Sequence, residues 1–188
     1  MSTIMLNLFN YKTPPYAHQQ TALEKSWDKE SYAFFMEMGT GKTKVAIDNI
    51  ALLRLHKDIT GVLIIAPKSV YTVWAFDEID KHMSPDVDYT IYKWQLDKPK
   101  QLEKAFKIND DLTIFCMNVE ALSTTRGYKA ATAFLTKHKA MTIVDESTTI
   151  KNHKAIRTKN VLKLCSFSNY RRILTGSPVT KYPFDLYT

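Results

Sequence analysis

Short apolar runs that alternate with helical patterns predict an α/β domain whose sheet is mainly parallel and is flanked by helices on both faces. Runs such as Val62-Leu63-Ile64-Ile65-Ala66 and Met141-Thr142-Ile143-Val144 lack the polar alternation of a half-exposed strand and suit strands buried on both faces. Helical stretches lie between such runs, as a parallel sheet requires. In order along the chain, strands are expected over residues 32–36, 62–66, 90–92, 112–117, 140–144 and 172–174. Helices are expected over 16–27, 42–56, 69–82, 98–107, 128–138 and 153–165. In such sheets ligands bind at the carboxyl ends of the strands, and the chain's distinctive short motifs all fall at those ends.

The chain has 188 residues, 45% of them hydrophobic and 12% aromatic, enough for one compact domain spanning 1–188. No internal repeat or low-complexity linker divides it. No apolar run approaches the roughly 18 residues of a membrane span, and the start lacks the basic region of a secretory signal, so no membrane partner and a cytoplasmic location are expected. The two cysteines, Cys116 and Cys165, are expected to be reduced thiols. The net charge of +7 is unevenly placed: residues 1–94 carry 10 Lys/Arg against 11 Asp/Glu, residues 95–188 carry 16 against 8. Within 126–172 the only acids are Asp145 and Glu146 among 11 basic residues. A basic segment with one acidic focus suits a protein that grips a polyanion and holds a metal; a solvated basic surface with no partner accounts for the charge equally well.

After the first strand comes Glu37-Met38-Gly39-Thr40-Gly41-Lys42-Thr43, and a helical pattern starts there. The order has a chemical purpose. Two glycines, out of five in the chain, let the backbone curl so that its N–H groups face phosphate oxygens, and the helix N-terminus adds its dipole. Lys42 is placed to reach β- and γ-phosphates, and the Thr43 hydroxyl to join a Mg²⁺ shell. The loop residues Met38, Gly39, Thr40, Gly41, Lys42, Thr43 and Lys44 form the candidate phosphate-binding set. The loop departs from the usual pattern at its first position, where Met36 replaces a small residue ahead of the tight turn.

About a hundred residues later, Ile143-Val144 runs into Asp145-Glu146-Ser147. An aspartate at the tip of a buried strand can hold the Mg²⁺ hydration shell opposite Thr43, and the next glutamate can orient and deprotonate an attacking water. Lys42, Asp145 and Glu146 are the candidate catalytic residues; Thr43 and Asp145 are the candidate metal-holding pair. A further strand ends in Leu174-Thr175-Gly176-Ser177-Pro178. Thr175, Gly176 and Ser177 there can bond the catalytic carboxylate and sense the γ-phosphate; in isolation the same letters are a plain turn.

With these motifs in view, the sequence resembles superfamily-2 helicases and translocases, most closely the Swi/Snf-like branch that includes bacteriophage DNA helicases, from about Pro14 to Tyr187. The resemblance implies a RecA-like phosphate-loop lobe that uses ATP and Mg²⁺ and acts on nucleic acid, double-stranded DNA foremost. Pro15-Tyr16-Ala17-His18-Gln19 looks like the family's Q motif, which assigns Gln19 to the adenine edge with Tyr16 as a neighbour. Leu63-Ile64-Ile65-Ala66-Pro67-Lys68-Ser69-Val70, with Trp74 and Glu78, is similar to motif Ia; it implies backbone contacts from Lys68 and Ser69, with Trp74 as a packing residue. Phe115-Cys116-Met117-Asn118-Val119-Glu120 resembles motif Ib and adds Asn118, while the loop Ser123-Thr124-Thr125-Arg126-Gly127 adds Thr125 and Arg126. Such contacts grip nucleic acid without reading its sequence.

Asp145-Glu146-Ser147-Thr148 matches motif II with Ser147-Thr148 in place of the usual Ala-His or Ala-Asp, which leaves no histidine there to couple hydrolysis to movement. Lys151-Asn152 and Arg157 resemble the remodeller-type continuation, and Thr175-Gly176-Ser177-Pro178 with Asp185-Leu186-Tyr187 resembles motif III. A family motor has a second RecA-like lobe bearing arginine fingers, and no such motif follows here. The chain then reads as the first lobe of a longer motor or as a stand-alone half-motor, with the former favoured. In related NTPases the finger contributes about 10³–10⁵ in rate, so feeble hydrolysis is expected of the chain alone. A nucleic-acid- or protein-binding module that keeps the fold without turnover is the alternative. A small-molecule kinase accounts for Lys42 and Asp145 but not for Gln19, Lys151-Asn152 or the Thr-Gly-Ser-Pro turn.

Overall fold

The computed structural model describes residues 8–57, 59–95, 103–108, 110–150 and 152–176. Six strands form, β1 Ser31–Phe35, β2 Gly61–Ala66, β3 Tyr89–Lys93, β4 Leu112–Asn118, β5 Ala140–Asp145 and β6 Tyr170–Thr175. They join in one sheet of order β1-β6-β5-β2-β4-β3, and every pairing is parallel. All six carboxyl ends therefore lie along one edge. Each expected strand is present within two residues of its expected ends.

Alternate strand residues face opposite ways, and the core divides accordingly. Helices α1 (Ala17–Ser26) and α2 (Lys42–Lys57) cover one face, where Leu23 and Ile50 meet Val62, Ile64, Ile114 and Ile143. Helices α4 (Thr125–Lys137) and α5 (Ile156–Cys165) cover the other, where Phe134 and Leu164 meet Leu63, Ile65, Phe115 and Val144. In α2 every residue from Lys44 to Leu53 is buried, so that helix is enclosed all round rather than laid on the surface.

Helix α3 departs from the expected continuous helix over 69–82. It is built from Tyr71–Val73, a π turn Trp74–Glu78 and Ile79–His82. Within it the N–H of Ile79 reaches back to the carbonyl of Trp74. The extra residue in that turn changes the facing of the side chains around it: Trp74 is buried while Phe76 is exposed. At α4 the expected loop 123–127 is instead the last residue of a 3₁₀ turn, Val119–Ser123, then the cap residue Thr124 and the first turn of the helix. The Thr124 hydroxyl caps it by accepting the N–H of Gly127 at 3.1 Å. A Cβ on Gly127 would lie 2.2 Å from the carbonyl oxygen of Ala121, so glycine serves close approach at this point. Helix α5 starts at Ile156, three residues later than expected, after an extended Ala155.

The expected helix over 98–107 falls partly outside the described residues, of which 103–105 are helical. Both cysteines are free thiols, and burial pushes Cys116 up to about 12. No helix among the described residues is long and apolar enough to cross a membrane.

Candidate functional site

Strand order brings three of the motifs side by side. Phe35, which leads into the phosphate loop, pairs with Thr175, and Leu174 pairs with Asp145. The loop turns on Gly39 and Gly41, with φ of 77° and 79°, a left-handed conformation that glycine adopts without strain. Gly41 is constrained twice, because a Cβ there would lie 2.3 Å from the Gln19 side-chain nitrogen. Lys42 curls back and its Nζ donates to the carbonyls of Met36 at 2.8 Å and Glu37 at 2.9 Å. Thr40 closes the turn by donating to Glu37 at 2.7 Å. Gly176 sits against this loop, since a Cβ there would be 3.0 Å from Met38 Cγ and 3.6 Å from Lys42 Nζ. The Lys42 end of the loop and the β6 turn are thus close together.

Two cavities flank the loop. One of about 350 Å³ is lined by Lys42, Thr43, Trp74 and Lys81. The other, about 410 Å³, is lined by Tyr16, His18, Gln19 and Thr40. Gly39, Gly41, Lys44, Lys81 and His82 border both, so together they form one trough from the Tyr16 end to the Trp74 end.

At the tip of β5, the two carboxylate oxygens of Asp145 are both engaged. Oδ2 accepts the indole N–H of Trp74 at 2.7 Å and Oδ1 the backbone N–H of Glu146 at 2.8 Å. Burial raises the Asp145 pKa above the usual carboxylate range, while those two bonds and Lys42 oppose the rise. Glu146 has φ 49°, the left-handed region a non-glycine residue rarely occupies, at a cost of about 1–3 kcal/mol. That turn carries the chain sharply out of β5. The Glu146 side chain is held by the Thr148 hydroxyl, which donates to Oε1 at 3.0 Å. Thr148 stands where the family usually has a histidine or aspartate, and here it anchors the glutamate.

Several expected residues have further partners. The Gln19 amide nitrogen donates to the carbonyl of Thr40 and its oxygen accepts the N–H of Tyr16, both at 3.0 Å. This ties the start of α1 to the phosphate loop. His18 adds a second bond to the Thr40 carbonyl at 3.0 Å. The Lys44 ammonium is buried against Asp48 and lies 4.9 Å from the centre of the Tyr11 ring. Burial lifts Asp48 to about 6 despite that partner.

Of the candidate nucleic-acid contacts, Lys68 and Ser69 occupy the turn between β2 and α3, which Val70 closes by donating to Pro67 at 2.8 Å. Asn118 ends the neighbouring strand in register with Ala66, and its amide bonds Glu120 at 3.0 Å. Thr125 and Arg126 lie in the first turn of α4. The phosphate-loop and Asp145-Glu146 candidates thus sit on the β1-β6-β5 half of the edge, and Lys68, Ser69 and Asn118 on the β2-β4 half. Ser177, Lys151, Pro178 and Asp185-Leu186-Tyr187 lie outside the described residues.

The donor set fits Mg²⁺ held jointly with a phosphate. No cluster of three or more His, Cys, Asp or Glu able to hold a metal occurs among the described residues. Mg²⁺ commonly takes one or two protein oxygens, waters and substrate phosphates. Thr43 and Asp145 would supply such oxygens beside the loop that turns on Gly39 and Gly41.

His82 borders the trough, contacting Thr13 Oγ1 at 2.6 Å and Glu78 at 3.6 Å. Burial first, then the Lys81 and Lys44 charges, lower its pKa from 6.5 to about 4. With the folded value below the unfolded one, its contribution to stability is full above pH 6.5 and lost as pH falls towards 4. His82→Gln should therefore flatten the acid limb in that window. Urea midpoints against pH for both proteins check this, and parallel profiles would contradict it.

The all-parallel sheet, with a phosphate loop after β1 and a carboxylate pair at the tip of β5, defines a RecA-like phosphate-loop lobe. The chain belongs to the SNF2-related domain family, whose pattern it matches over residues 18–188. It is 32% identical over 146 residues to the nuclear protein STH1/NPS1 of Saccharomyces cerevisiae, covering 76% of this chain and 10% of that protein. It is 29% identical over 145 residues to a probable ATP-dependent DNA helicase, CHR12, of Arabidopsis thaliana, covering 76% of this chain and 12% of that one. The chain thus spans only a small part of these relatives. In fold it is similar to the Sulfolobus solfataricus SWI2/SNF2 ATPase core in complex with dsDNA, with TM-score 0.73 and 24% identity over 95% of this chain and 35% of that one. It is also similar to the UvsW helicase of bacteriophage T4, with TM-score 0.64 and 14% identity over 93% of this chain and 57% of that one.

Proposed function

We propose that this chain is the ATP-binding first motor lobe of a DNA helicase or translocase, which couples Mg-ATP hydrolysis to movement on double-stranded DNA. The observation that carries the reading is the meeting, on one sheet edge, of the Gly39–Lys42 loop, the Asp145-Glu146 tip and the Thr175-Gly176 turn. In this reading the triphosphate lies along the trough. Lys42 would exchange its two carbonyl partners for phosphate oxygens, and Thr43 and Asp145 would hold Mg²⁺, whose charge would offset that of the phosphates. Glu146, steadied by Thr148, takes the proton of the attacking water. Gly176, against Met38 and near Lys42, lets the β6 turn respond to the γ-phosphate. Tyr16 and Gln19 border the base end. Lys68, Ser69, Asn118, Thr125 and Arg126 form the surface offered to the DNA backbone, and a second RecA-like lobe, in the same full-length protein or in trans, completes the motor.

Titration with a fluorescent ATP analogue and Mg²⁺, followed by binding to duplex DNA over a salt series, tests this. Saturable nucleotide binding lost in Lys42→Ala, with DNA affinity falling as salt rises, is the expected result. Nucleotide binding unchanged by Lys42→Ala would rule out the loop as the phosphate site. Salt-sensitive DNA binding with no hydrolysis, even after the second lobe is added, would favour a binding module that has kept only the fold.

A further inference from the structure

Trp74 is 1% exposed, and packing alone accounts for a tryptophan in that position. Its polar atom tells more. A buried indole N–H needs an acceptor, and here the acceptor is a carboxylate oxygen of Asp145, 71 residues away, rather than a nearby carbonyl. The tryptophan opens the π turn of α3, a local irregularity that is common at functional positions. It also lines the same cavity as Lys42 and Thr43.

The second Asp145 oxygen is bonded to the backbone of Glu146. Between them the indole and that N–H fix the carboxylate's rotation, so that its remaining lone pairs have one orientation. The bond also spans the two halves of the edge. The preceding turn carries Lys68 and Ser69, and it continues into α3 through the backbone N–H of Trp74, which donates to the carbonyl of Val70 at 3.2 Å.

We propose that Trp74 is a positioning residue for the metal, holding the Asp145 carboxylate through its indole N–H in the orientation that receives the hydrated Mg²⁺ of a bound nucleotide. The proposal rests on the nucleotide-binding reading given above. Aspartate freed of the indole keeps its charge but rotates, so Mg²⁺ loses a preset partner while the phosphate loop is untouched.

The test compares the affinity of the full 188-residue chain for a fluorescent ATP analogue with Mg²⁺ and with EDTA. Trp74→Phe keeps an aromatic ring in the core and removes the N–H. Loss of a hydrogen bond to a charged group predicts that the gain in affinity from Mg²⁺ shrinks by about ten-fold or more, with affinity in EDTA unchanged. A general packing defect would weaken both. An equal Mg²⁺ gain in the two proteins overturns the proposal, whereas a wild-type chain that binds no nucleotide overturns the underlying reading.

Should Trp74→Phe fail to fold, the wild-type indole N–H resonances decide the matter. There are three tryptophans, and Trp27→Phe and Trp94→Phe identify two of the resonances. Mg²⁺ added to the nucleotide complex should shift the Trp74 signal and leave the other two in place. A Trp74 signal indifferent to Mg²⁺ counts against the proposal.

Discussion

Glu146→Gln is expected to slow ATP hydrolysis by about 10²–10⁴-fold, the usual contribution of a positioned general base, while Mg-nucleotide affinity stays as it is. Glutamine has the same shape and accepts the Thr148 hydroxyl as the carboxylate does at 3.0 Å, but it cannot take the water's proton. The left-handed backbone at Glu146 is no harder for glutamine to adopt, so the fold should not register the change. Lys42→Ala has the opposite signature, because it strips the loop of its cation and loses binding. The contrast separates chemistry from grip. Phosphate release at high protein concentration, with and without duplex DNA, is the measurement. Hydrolysis by Glu146→Gln at the wild-type rate would remove Glu146 from the mechanism.

The parts legible in the sequence are those written as local pattern. Val62–Ala66 and Met141–Val144 announce strands buried on both faces because burial on both sides leaves no polar alternation to keep. Gly39 and Gly41 announce a left-handed turn because φ near 80° suits only glycine well. What stayed hidden depends on partners far apart in the chain. Nothing near Trp74 indicates that its indole N–H goes to Asp145, and nothing in Ser147-Thr148 says that the threonine hydroxyl goes to Glu146. Gln19 is intermediate. The resemblance assigns it to the adenine edge, whereas the bond its amide makes, fastening α1 to Thr40, is one between elements that no local spacing encodes. The π turn leaves no mark in the sequence because apolar spacing over 69–82 fits a regular helix well enough, and the extra residue is absorbed only in the packed structure.

Arg172 shows the same dependence on distant partners, with a large effect on stability. It is among the largest fully buried side chains, yet its hydrogen-bond acceptors are all neutral. Nε donates to Asn49 Oδ1 at 2.7 Å, and the terminal nitrogens to the carbonyls of Ser26 at 2.8 Å and Arg171 at 2.8 Å. Ser26 closes α1, whose C-terminal carbonyls carry the negative end of the helix dipole and offset part of the buried charge. Burial still dominates, lowering the Arg172 pKa to about 10. One guanidinium thus joins β6, α1 and α2, and through α2 it braces the phosphate loop from below. Arg172→Ala opens a cavity and strands buried acceptors, and a loss of about 3–5 kcal/mol is expected, a large share of the roughly 5–15 kcal/mol that holds a domain together. Arg172→Met refills the stem's volume and removes a desolvated charge, so it should lose less than the alanine variant. Arg172→Lys keeps the charge without the planar fork that reaches these acceptors, and should fall nearer to alanine than to wild type. Urea midpoints for the three variants order the contributions: lysine matching wild type would mean that charge alone suffices, and methionine matching it would mean that the bonds contribute nothing net.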